Sequence, residues 1–253
     1  MTRFRAPLAL RPHPDVAMPD TAMVMAAGLG KRMRPLTATR PKPLVSVAGR
    51  TLLDRTLDHL REAGVARAVV NVHYLADAIE AHLGARGQGL EILISDERDA
   101  LLETGGGVAK ALPLIDRDTF FIVNSDNLWV DGAVDTLKLI ADRWDDSAMD
   151  ALLLLVPCAR ATCHAGQGDF HMDTVGRLRR RAHGRVAPFV YTGVQLVSKR
   201  LIVDPPAGAF STNIFWDRAI AAGRLYGVVH PGLWFDVGTP QAVKRTEALL
   251  QQE

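Results

Sequence analysis

The sequence predicts an α/β fold with a mainly parallel β-sheet, formed by one domain over residues 21–253. In its first half, strand-like runs such as Ala68 to Val72 and Leu90 to Ser95 alternate with segments of helical spacing such as Ala76 to Leu83. This alternation is typical of βαβ units, whose strands lie parallel. A length of 253 residues suits one large domain with a sizeable core. Glycine-bearing turns follow predicted strands, at the sheet edge where such folds bind ligands.

The composition of the chain argues against several classes of function. The formal net charge is only +2, so no overall charge favours nucleic acid as a partner. No apolar run is long enough to span a bilayer, and no membrane partner is expected. Cys158 and Cys163 lack the spacing of a metal site or a disulfide framework. We expect reduced thiols in a cytoplasmic protein that is a monomer or a small homo-oligomer.

Residues 1–20 differ from the rest of the chain. The segment is rich in proline and arginine and shows neither helical nor strand periodicity. We expect a disordered N-terminal arm, with Met18 as an alternative start of the native chain.

The first strand, Ala22 to Ala27, leads into a turn that contains Gly28 and Gly30. Glycine lets the backbone turn sharply and come close to a ligand. Exposed backbone N–H groups next to Lys31 and Arg32 predict a phosphate-binding loop. For the glycines alone, a surface turn with solvated cations is an equal alternative.

Two commoner glycine loops do not fit this turn. A Rossmann fingerprint needs a third glycine where Met33 stands, and a Walker A loop needs Ser or Thr where Arg32 stands. Lys42 follows between Pro41 and Pro43, which restrict the backbone on either side. A rigidly presented ammonium is a good partner for an anion.

The remaining elements follow from periodicity and from turn residues. Gly64 marks the end of the first helix, and Pro240 marks the start of the last one. The predicted helices are 51–63, 76–83, 108–112, 131–144, 211–222 and 240–250; the predicted strands are 68–72, 90–95, 119–123, 151–156, 186–197 and 228–229, with a hairpin over 166–180.

A second glycine-rich segment, Glu103-Thr104-Gly105-Gly106-Gly107, precedes the short helix predicted from Val108 to Leu112. Three glycines before a helix predict close backbone approach and free N–H groups for a ligand. A flexible hinge is the alternative.

Two aspartates follow predicted strands, and the position of Asp126 makes it a candidate metal ligand. Asp126 follows the strand that ends at Val123, where an acid would lie in the ligand crevice and suit Mg²⁺ bound to phosphates. Asp236 lies just before the last helix. The alternative for both is an acid that stabilises a turn.

The stretch from Met23 to Leu44 resembles the N-terminal signature of the sugar-phosphate nucleotidylyltransferases, Gly-x-Gly-x-Arg followed by Pro-Leu-Thr and Pro-Lys-Pro. Asn124-Ser125-Asp126 is similar to the metal motif of that family, with Ser in place of the usual Gly. Trp234 to Pro240 is similar to the context of its second metal acid. The resemblance extends from Thr21 to about Leu250.

The resemblance implies a Rossmann-like nucleotidyltransferase sheet with a small β-rich sugar-binding part. It implies catalytic roles for Arg32, Lys42 and Asp126, and Mg²⁺ held by Asp126 and Asp236. The nucleotide-binding residues that it implies are Ala26, Ala27, Gly28, Gly30, Lys31, Arg32, Glu103, Thr104, Gly105, Gly106 and Asn124, and the sugar-binding residues are Gly168, Asp169, Thr192 and Gly193.

Within the family, Glu103 to Gly107 is similar to the form found in N-acetylmuramate 1-phosphate uridylyltransferases. This implies transfer of UMP from UTP to a sugar 1-phosphate, N-acetylmuramic acid 1-phosphate, in peptidoglycan recycling. The Glu-Lys-Pro motif of the hexose enzymes is missing, and Arg179 to Arg181 occupies that region. The alternatives are a mannose 1-phosphate guanylyltransferase and a non-catalytic subunit that senses nucleotide sugars.

Overall fold

The computed structural model describes residues 16–86 and 89–251 of the chain. Residues 1–15 of the predicted arm therefore lie outside the described residues. The strands are β1 (Thr21–Met25), β2 (Ser46–Val47), β3 (Arg50–Thr51), β4 (Arg67–Val72), β5 (Glu91–Asp96), β6 (Thr119–Asn124), β7 (Leu128–Val130), β8 (Ala151–Pro157), β9 (Ala161–Thr162), β10 (Phe170–Met172), β11 (Leu178–Arg180), β12 (Phe189–Ser198), β13 (Leu225–Val229) and β14 (Leu233–Phe235). The α-helices are α1 (Leu52–Ala63), α2 (Ala76–Gly84), α3 (Glu103–Ala111), α4 (Thr136–Arg143), α5 (Asn213–Ala221) and α6 (Pro240–Leu250).

The central sheet has the order β11-β10-β12-β6-β1-β4-β5. Strands β6, β1, β4 and β5 are parallel neighbours, so their carboxyl ends lie at one edge. The long strand β12 is antiparallel to β6 and also pairs with β8, which β13 extends in parallel. Strands β10 and β11 form the predicted hairpin. The predicted α/β fold with a mainly parallel central sheet is confirmed.

Helix α1 shows how local sequence sets an element. The Thr51 hydroxyl accepts a hydrogen bond from the Asp54 N–H and caps the helix start, and Gly64 ends it with φ 97°. Its apolar face, Leu52, Leu53, Leu57 and Leu60, is fully buried. Each buried leucine contributes about 1.5–3 kcal/mol by leaving water.

A small three-stranded sheet, β7-β14-β9, lies outside the main one. In it β14 is antiparallel to β7, with Phe235 opposite Leu128. This register places Asp126, just before β7, and Asp236, just after β14, at the same end of the strand pair. The predicted helix 131–144 is shorter, because Asp135 caps α4 at Thr136.

The chain before β1 contacts the core. Val16 and Met18 pack against the buried cluster around β1 and β4. The Asp20 carbonyl accepts hydrogen bonds from the N–H groups of Ala66 and Arg67. Over the described residues, the longest apolar helical segment is too short to cross a membrane.

Candidate active site

The loop after β1 is exposed at Gly28 and fastened on both sides. Before it, the Ala26 N–H donates to Asn71 Oδ1 at 2.7 Å. After it, Met33 is fully buried in a small apolar cluster with Val45, Leu128 and Phe235. A Cβ on Gly28 would meet no atom within 4 Å, so this backbone is open to a ligand.

Gly30 brings the same loop against Lys42. Its φ of 59° lies in the left-handed region that favours glycine. A Cβ there would lie 3.0 Å from Lys42 Cβ and 3.1 Å from Thr37 Cγ2. The Thr37 hydroxyl donates to the Gly30 carbonyl at 2.8 Å. The exposed cations Lys31 and Arg32 follow directly.

Lys42 and Asp126 form an ion pair at the carboxyl edge of the parallel strands. Lys42 Nζ lies 2.8 Å from Asp126 Oδ2, and the side chains are 11% and 37% exposed. The lysine is therefore held in place by the ion pair, whereas the Asp126 carboxylate remains partly exposed to solvent. Ser125 fixes this turn, because its hydroxyl donates to the Met25 carbonyl at 2.7 Å. Ser in place of the family's Gly thus ties the end of β6 to the end of β1.

Asp236 lies next to His164 and near Arg32. Asp236 Oδ2 is 3.1 Å from His164 Nδ1. A Cβ on Gly238 would lie 3.0 Å from Asp236 Oδ1 and 3.5 Å from Arg32 Nη1. Arg32 and Asp236 therefore both lie next to the backbone of Gly238.

The two acids offer carboxylate oxygens of the kind that bind a divalent ion. Each carboxylate keeps Oδ1 free of hydrogen-bond partners among the described residues, since Lys42 and His164 contact only Oδ2. In residues 16–86 and 89–251, no group of three or more His, Cys, Asp or Glu could hold a metal ion. An Mg²⁺ ion commonly takes one or two protein carboxylates and completes its shell with phosphates and waters.

The second glycine-rich segment differs from the sequence prediction. Gly105, Gly106 and Gly107 lie inside α3, which begins at Glu103 rather than at Val108. The N–H groups of Gly105 and Gly106 donate to the Phe210 carbonyl at 2.8 and 3.1 Å. The prediction that they are free for a ligand is therefore wrong.

Close packing explains these glycines instead. A Cβ on Gly105 would lie 2.4 Å from the Phe210 ring, and one on Gly106 would lie 2.6 Å from the Gly208 carbonyl oxygen. The neighbouring Glu103 and Thr104 are exposed. The Thr104 hydroxyl accepts the Thr212 N–H at 3.0 Å.

Gly193 joins the predicted sugar-binding and nucleotide-binding residues. It lies where the register of β12 shifts against β8, with φ 88°. A Cβ there would lie 3.0 Å from Asn124 Cβ and 2.0 Å from Asn127 Nδ2. Thr192 is fully buried, and its hydroxyl donates to the Leu154 carbonyl. Its own carbonyl accepts from Asn127 at 2.6 Å.

Gly168 and Asp169 lie beside the other end of this bend. Gly168 has φ 76°, and a Cβ there would lie 2.1 Å from the Ala187 carbonyl oxygen. The exposed Asp169 carboxylate accepts the Tyr191 N–H at 2.9 Å. Both residues therefore shape the start of β12.

Sequence reasoning missed Tyr191, Asn71 and His164. The Tyr191 hydroxyl is buried and has no hydrogen-bond partner among the described residues. Burial, together with the nearby charge of Asp126, raises the pKa of Tyr191. A hydrogen bond to a water or to a bound ligand would satisfy this hydroxyl. Its place next to Thr192 was the only available signal in the sequence.

The structure gathers most of the predicted residues on one side of the sheet. Gly30, Lys42 and Asp126 are linked by the contacts above, and the pairing of β7 with β14 brings Asp236, which lies near Arg32, to the same end as Asp126. Asn124 and Gly193 continue the same surface, and Tyr191 connects it to Asp169. Gly105 and Gly106 are buried in packing contacts of the chain itself.

Comparison with known proteins finds relatives that cover most of the chain. Residues 21–164 match the nucleotidyl transferase family model. The chain is 45% identical to the N-acetylmuramate alpha-1-phosphate uridylyltransferase of Caulobacter vibrioides, over 92% of this chain and 98% of the relative. It is 35% identical to the enzyme of the same name from Neisseria meningitidis serogroup B, over 90% and 97% of the two chains.

Two further matches are more distant. A mannose-1-phosphate guanylyltransferase of Mycobacterium tuberculosis is 27% identical over 90% of this chain and 63% of the relative. The crystal structure of HddC from Yersinia pseudotuberculosis superposes with a TM-score of 0.73 at 22% identity, over 92% of this chain and 100% of that one.

Proposed function

The chain belongs to the nucleotidyl transferase family and, within it, to the sugar-phosphate nucleotidylyltransferases, and we propose that it transfers UMP from UTP to N-acetylmuramic acid 1-phosphate. The products are UDP-N-acetylmuramate and pyrophosphate. The names of the two relatives at 45% and 35% identity support the nucleotide and the sugar. The observation that carries the reaction type is the Lys42–Asp126 ion pair, held against an open glycine loop with Asp236 at the same end of the strands.

The proposed reaction is a direct displacement. A phosphate oxygen of the sugar 1-phosphate forms a bond to the α-phosphorus of UTP, while the bond from that phosphorus to the bridging oxygen of the β-phosphate breaks. Pyrophosphate leaves with the electron pair of the broken bond. Because the displacement needs no covalent enzyme intermediate, the protein contributes positioning and charge neutralisation.

The cations near the loop lie at different positions, so they would contact different phosphates. Lys31 and Arg32 are exposed beside the loop and would bind the leaving β- and γ-phosphates together with the N–H groups around Gly28. Lys42 is largely buried and oriented by Asp126, so its ammonium would face the α-phosphate or the attacking phosphate. Ala26, Ala27 and Asn124, at the ends of β1 and β6, would form the floor of the nucleotide site.

Members of the family generally use a divalent metal, and we propose Mg²⁺ held by Asp126 and Asp236. When bound, such an ion neutralises charge on the phosphates of both substrates. Asp126 would then contact both Lys42 and the metal, because Oδ2 orients Lys42 and Oδ1 is available to the ion.

The sugar would bind along the bend of β12. Because Gly193 has no side chain, the backbone of β12 can lie close to Asn124. The exposed carboxylate of Asp169 would accept hydrogen bonds from sugar hydroxyls. The Tyr191 hydroxyl would gain its missing partner from the sugar phosphate. Gly168 and the buried Thr192 maintain the shape of this bend.

The uridine assignment requires a revised physical reason. Gly105 and Gly106 direct their N–H groups at Phe210, so the exposed Glu103 and Thr104 are the residues of this segment that could contact a base or ribose. The proposal includes a place in peptidoglycan recycling in the cytoplasm, in a monomer or a small homo-oligomer. The unpaired Cys158 and Cys163 agree with a reducing compartment.

Pyrophosphate release with UTP, GTP, CTP and dTTP against a panel of sugar 1-phosphates tests the function. We expect turnover with UTP and N-acetylmuramic acid 1-phosphate, dependent on Mg²⁺. The Lys42→Met variant should lose most of this turnover, whereas Lys138→Met, which removes a lysine on α4, should keep it. Preferred use of GTP with mannose 1-phosphate would support the guanylyltransferase alternative, and binding of UDP-sugar without turnover would support a sensing subunit.

A further inference from the structure

A buried carboxylate lies between the two segments assigned to the nucleotide. Glu97 follows β5 and has 0% of its surface exposed, and Asn71 near the end of β4 has 1%. Burying a carboxylate is costly unless hydrogen bonds compensate it. The partners of this one are neutral: Oε1 accepts from Asn71 Nδ2 at 2.7 Å, and Oε2 accepts from the Leu102 N–H at 3.3 Å.

These bonds form a continuous chain from one segment to the other. Asn71 Oδ1 accepts the Ala26 N–H at 2.7 Å, and its amide nitrogen donates to Glu97. Ala26 precedes the Gly28–Gly30 loop, and Leu102 immediately precedes α3. Two side chains thus join the backbone of the phosphate loop to the backbone ahead of Glu103.

Gly107 makes room for this chain. A Cβ there would lie 2.8 Å from Glu97 Oε1 and 2.9 Å from Asn71 Nδ2. The third glycine of the segment is therefore explained by the Asn71–Glu97 pair, rather than by a ligand. The Glu97 carbonyl is also in hydrogen-bond contact with His73 Nδ1 at 2.7 Å.

We propose that Asn71 and Glu97 are positioning residues, which hold the phosphate loop and the segment Leu102 to Thr104 at a fixed separation. The triphosphate would bind at one end of this connection and the nucleoside at the other, so the pair sets nucleotide affinity without touching the nucleotide. This inference rests on the proposed function for the assignment of the two segments.

The geometry permits a test in which the acid and the amide exchange places. In the Asn71→Asp/Glu97→Gln double variant, the carboxylate introduced at position 71 still accepts from the Ala26 N–H. The amide introduced at position 97 donates to that carboxylate, and its oxygen accepts from the Leu102 N–H. All three hydrogen bonds are retained. Asn71→Asp alone places two carboxylates face to face, and Glu97→Gln alone leaves one donor facing another donor.

We would measure the UTP dissociation constant by calorimetry, the KM for the sugar 1-phosphate and the melting temperature of each full-length variant. Glu97→Gln should weaken UTP binding about tenfold, as expected for one lost hydrogen bond to a charged group. Asn71→Asp should weaken it more. The double variant should return to within about threefold of the wild type, and the KM for the sugar 1-phosphate should change less than the UTP constant in all three.

The matched control is Gln195→Glu, which places an acid at a buried amide in β12 whose oxygen accepts from Trp216 Nε1. It should lower the melting temperature without changing UTP binding. Equal loss of UTP binding in this control would mean that affinity follows overall stability, and would overturn the proposal. A double variant that melts like the wild type but binds UTP as weakly as the single variants would also overturn it.

Failure of this inference differs from failure of the proposed function. The wild-type substrate panel decides which nucleotide and which sugar react. The affinity ratios among the variants decide the positioning role, and they are measured with whichever nucleoside triphosphate the wild type binds.

Discussion

The two glycine segments look alike in sequence and serve different purposes in the structure. Gly28 is exposed, and a Cβ added to it would have no other atom within 4 Å. Gly105, Gly106 and Gly107 are buried, and a Cβ added to any of them would lie within 3 Å of other parts of the chain. At Gly28 the first segment leaves space for a ligand, whereas Gly30 and the glycines of the second segment remove side chains so that the chain can pack on itself.

A glycine in the sequence therefore indicates that another group comes close, but it does not show whether that group is a ligand or another part of the chain. For Gly105 that group is Phe210, more than 100 positions away in sequence. For Gly107 it is the Asn71–Glu97 pair. Substitution of Gly28 should therefore change turnover or affinity, and substitution of Gly105 should change stability.

The largest effect should come from the acids beside the first segment. Asp126→Asn and Asp236→Asn should each lower kcat/KM by at least about a hundredfold, because each removes charge that stabilises the phosphates in the transition state. Both carboxylates are partly exposed, so melting temperatures should stay close to wild type. Near-normal Mg²⁺-dependent activity in either variant would show that this acid is not a metal ligand.

A glycine exchange tests the comparison itself. Gly105→Ala places a methyl group against the Phe210 ring and should destabilise the fold by about 1–3 kcal/mol. The melting temperature should then fall by about 2–12 °C, at 2–4 °C per kcal/mol for a domain of this size.

The partner variant is Gly28→Ala, which meets no atom of the chain. Its melting temperature should match the wild type, while its KM for UTP rises because the methyl group enters the ligand space. Equal thermal destabilisation by both substitutions would remove the distinction between the two segments.

Tyr191→Phe tests whether the bend of β12 also faces a ligand. The hydroxyl has no protein partner to lose among the described residues, so stability should stay equal or rise slightly. The KM for the sugar 1-phosphate should rise about fivefold to tenfold, with the KM for UTP unchanged. A marked loss of stability with normal kinetics would assign the hydroxyl to the fold alone.

The smallest effect should follow Ser125→Ala. It removes the side-chain hydrogen bond to the Met25 carbonyl and leaves the weaker one from the Ser125 N–H, so the Asp126 turn is less firmly held to β1. A cost of about 1 kcal/mol, or roughly 2–4 °C in melting temperature, is expected. Ser125→Thr, which keeps the hydroxyl, is the control and should retain more of the stability.

Much of the fold follows from local sequence. Thr51 and Thr239 cap α1 and α6 as their residue types favour, and the strands with strong apolar runs lie within a residue or two of their predicted limits, except the start of β12 and of β13. Strands β7 and β14 have three residues each and no alternation, so periodicity did not predict them. Their register nevertheless brings Asp126 and Asp236 to one end.

The site was predicted less completely, because its contacts are non-local. The residues indicated the loop at Gly28 and Gly30 and the rigidly presented Lys42, and the resemblance supplied the second acid. The Lys42–Asp126 pair joins residues 84 positions apart, and the Tyr191 hydroxyl is recognisable only by its missing partner. Long-range packing likewise decided that α3 begins at Glu103.

The most direct test of the account is competition between UTP and GTP at equal concentration, with N-acetylmuramic acid 1-phosphate, Mg²⁺ and the wild-type protein, followed by mass spectrometry of the products. We predict UDP-N-acetylmuramate in at least about tenfold excess over the guanosine product, the ratio that 1.4 kcal/mol of discrimination gives. Equal amounts of both products, a preference for GTP, or no nucleotide sugar at all would contradict the account.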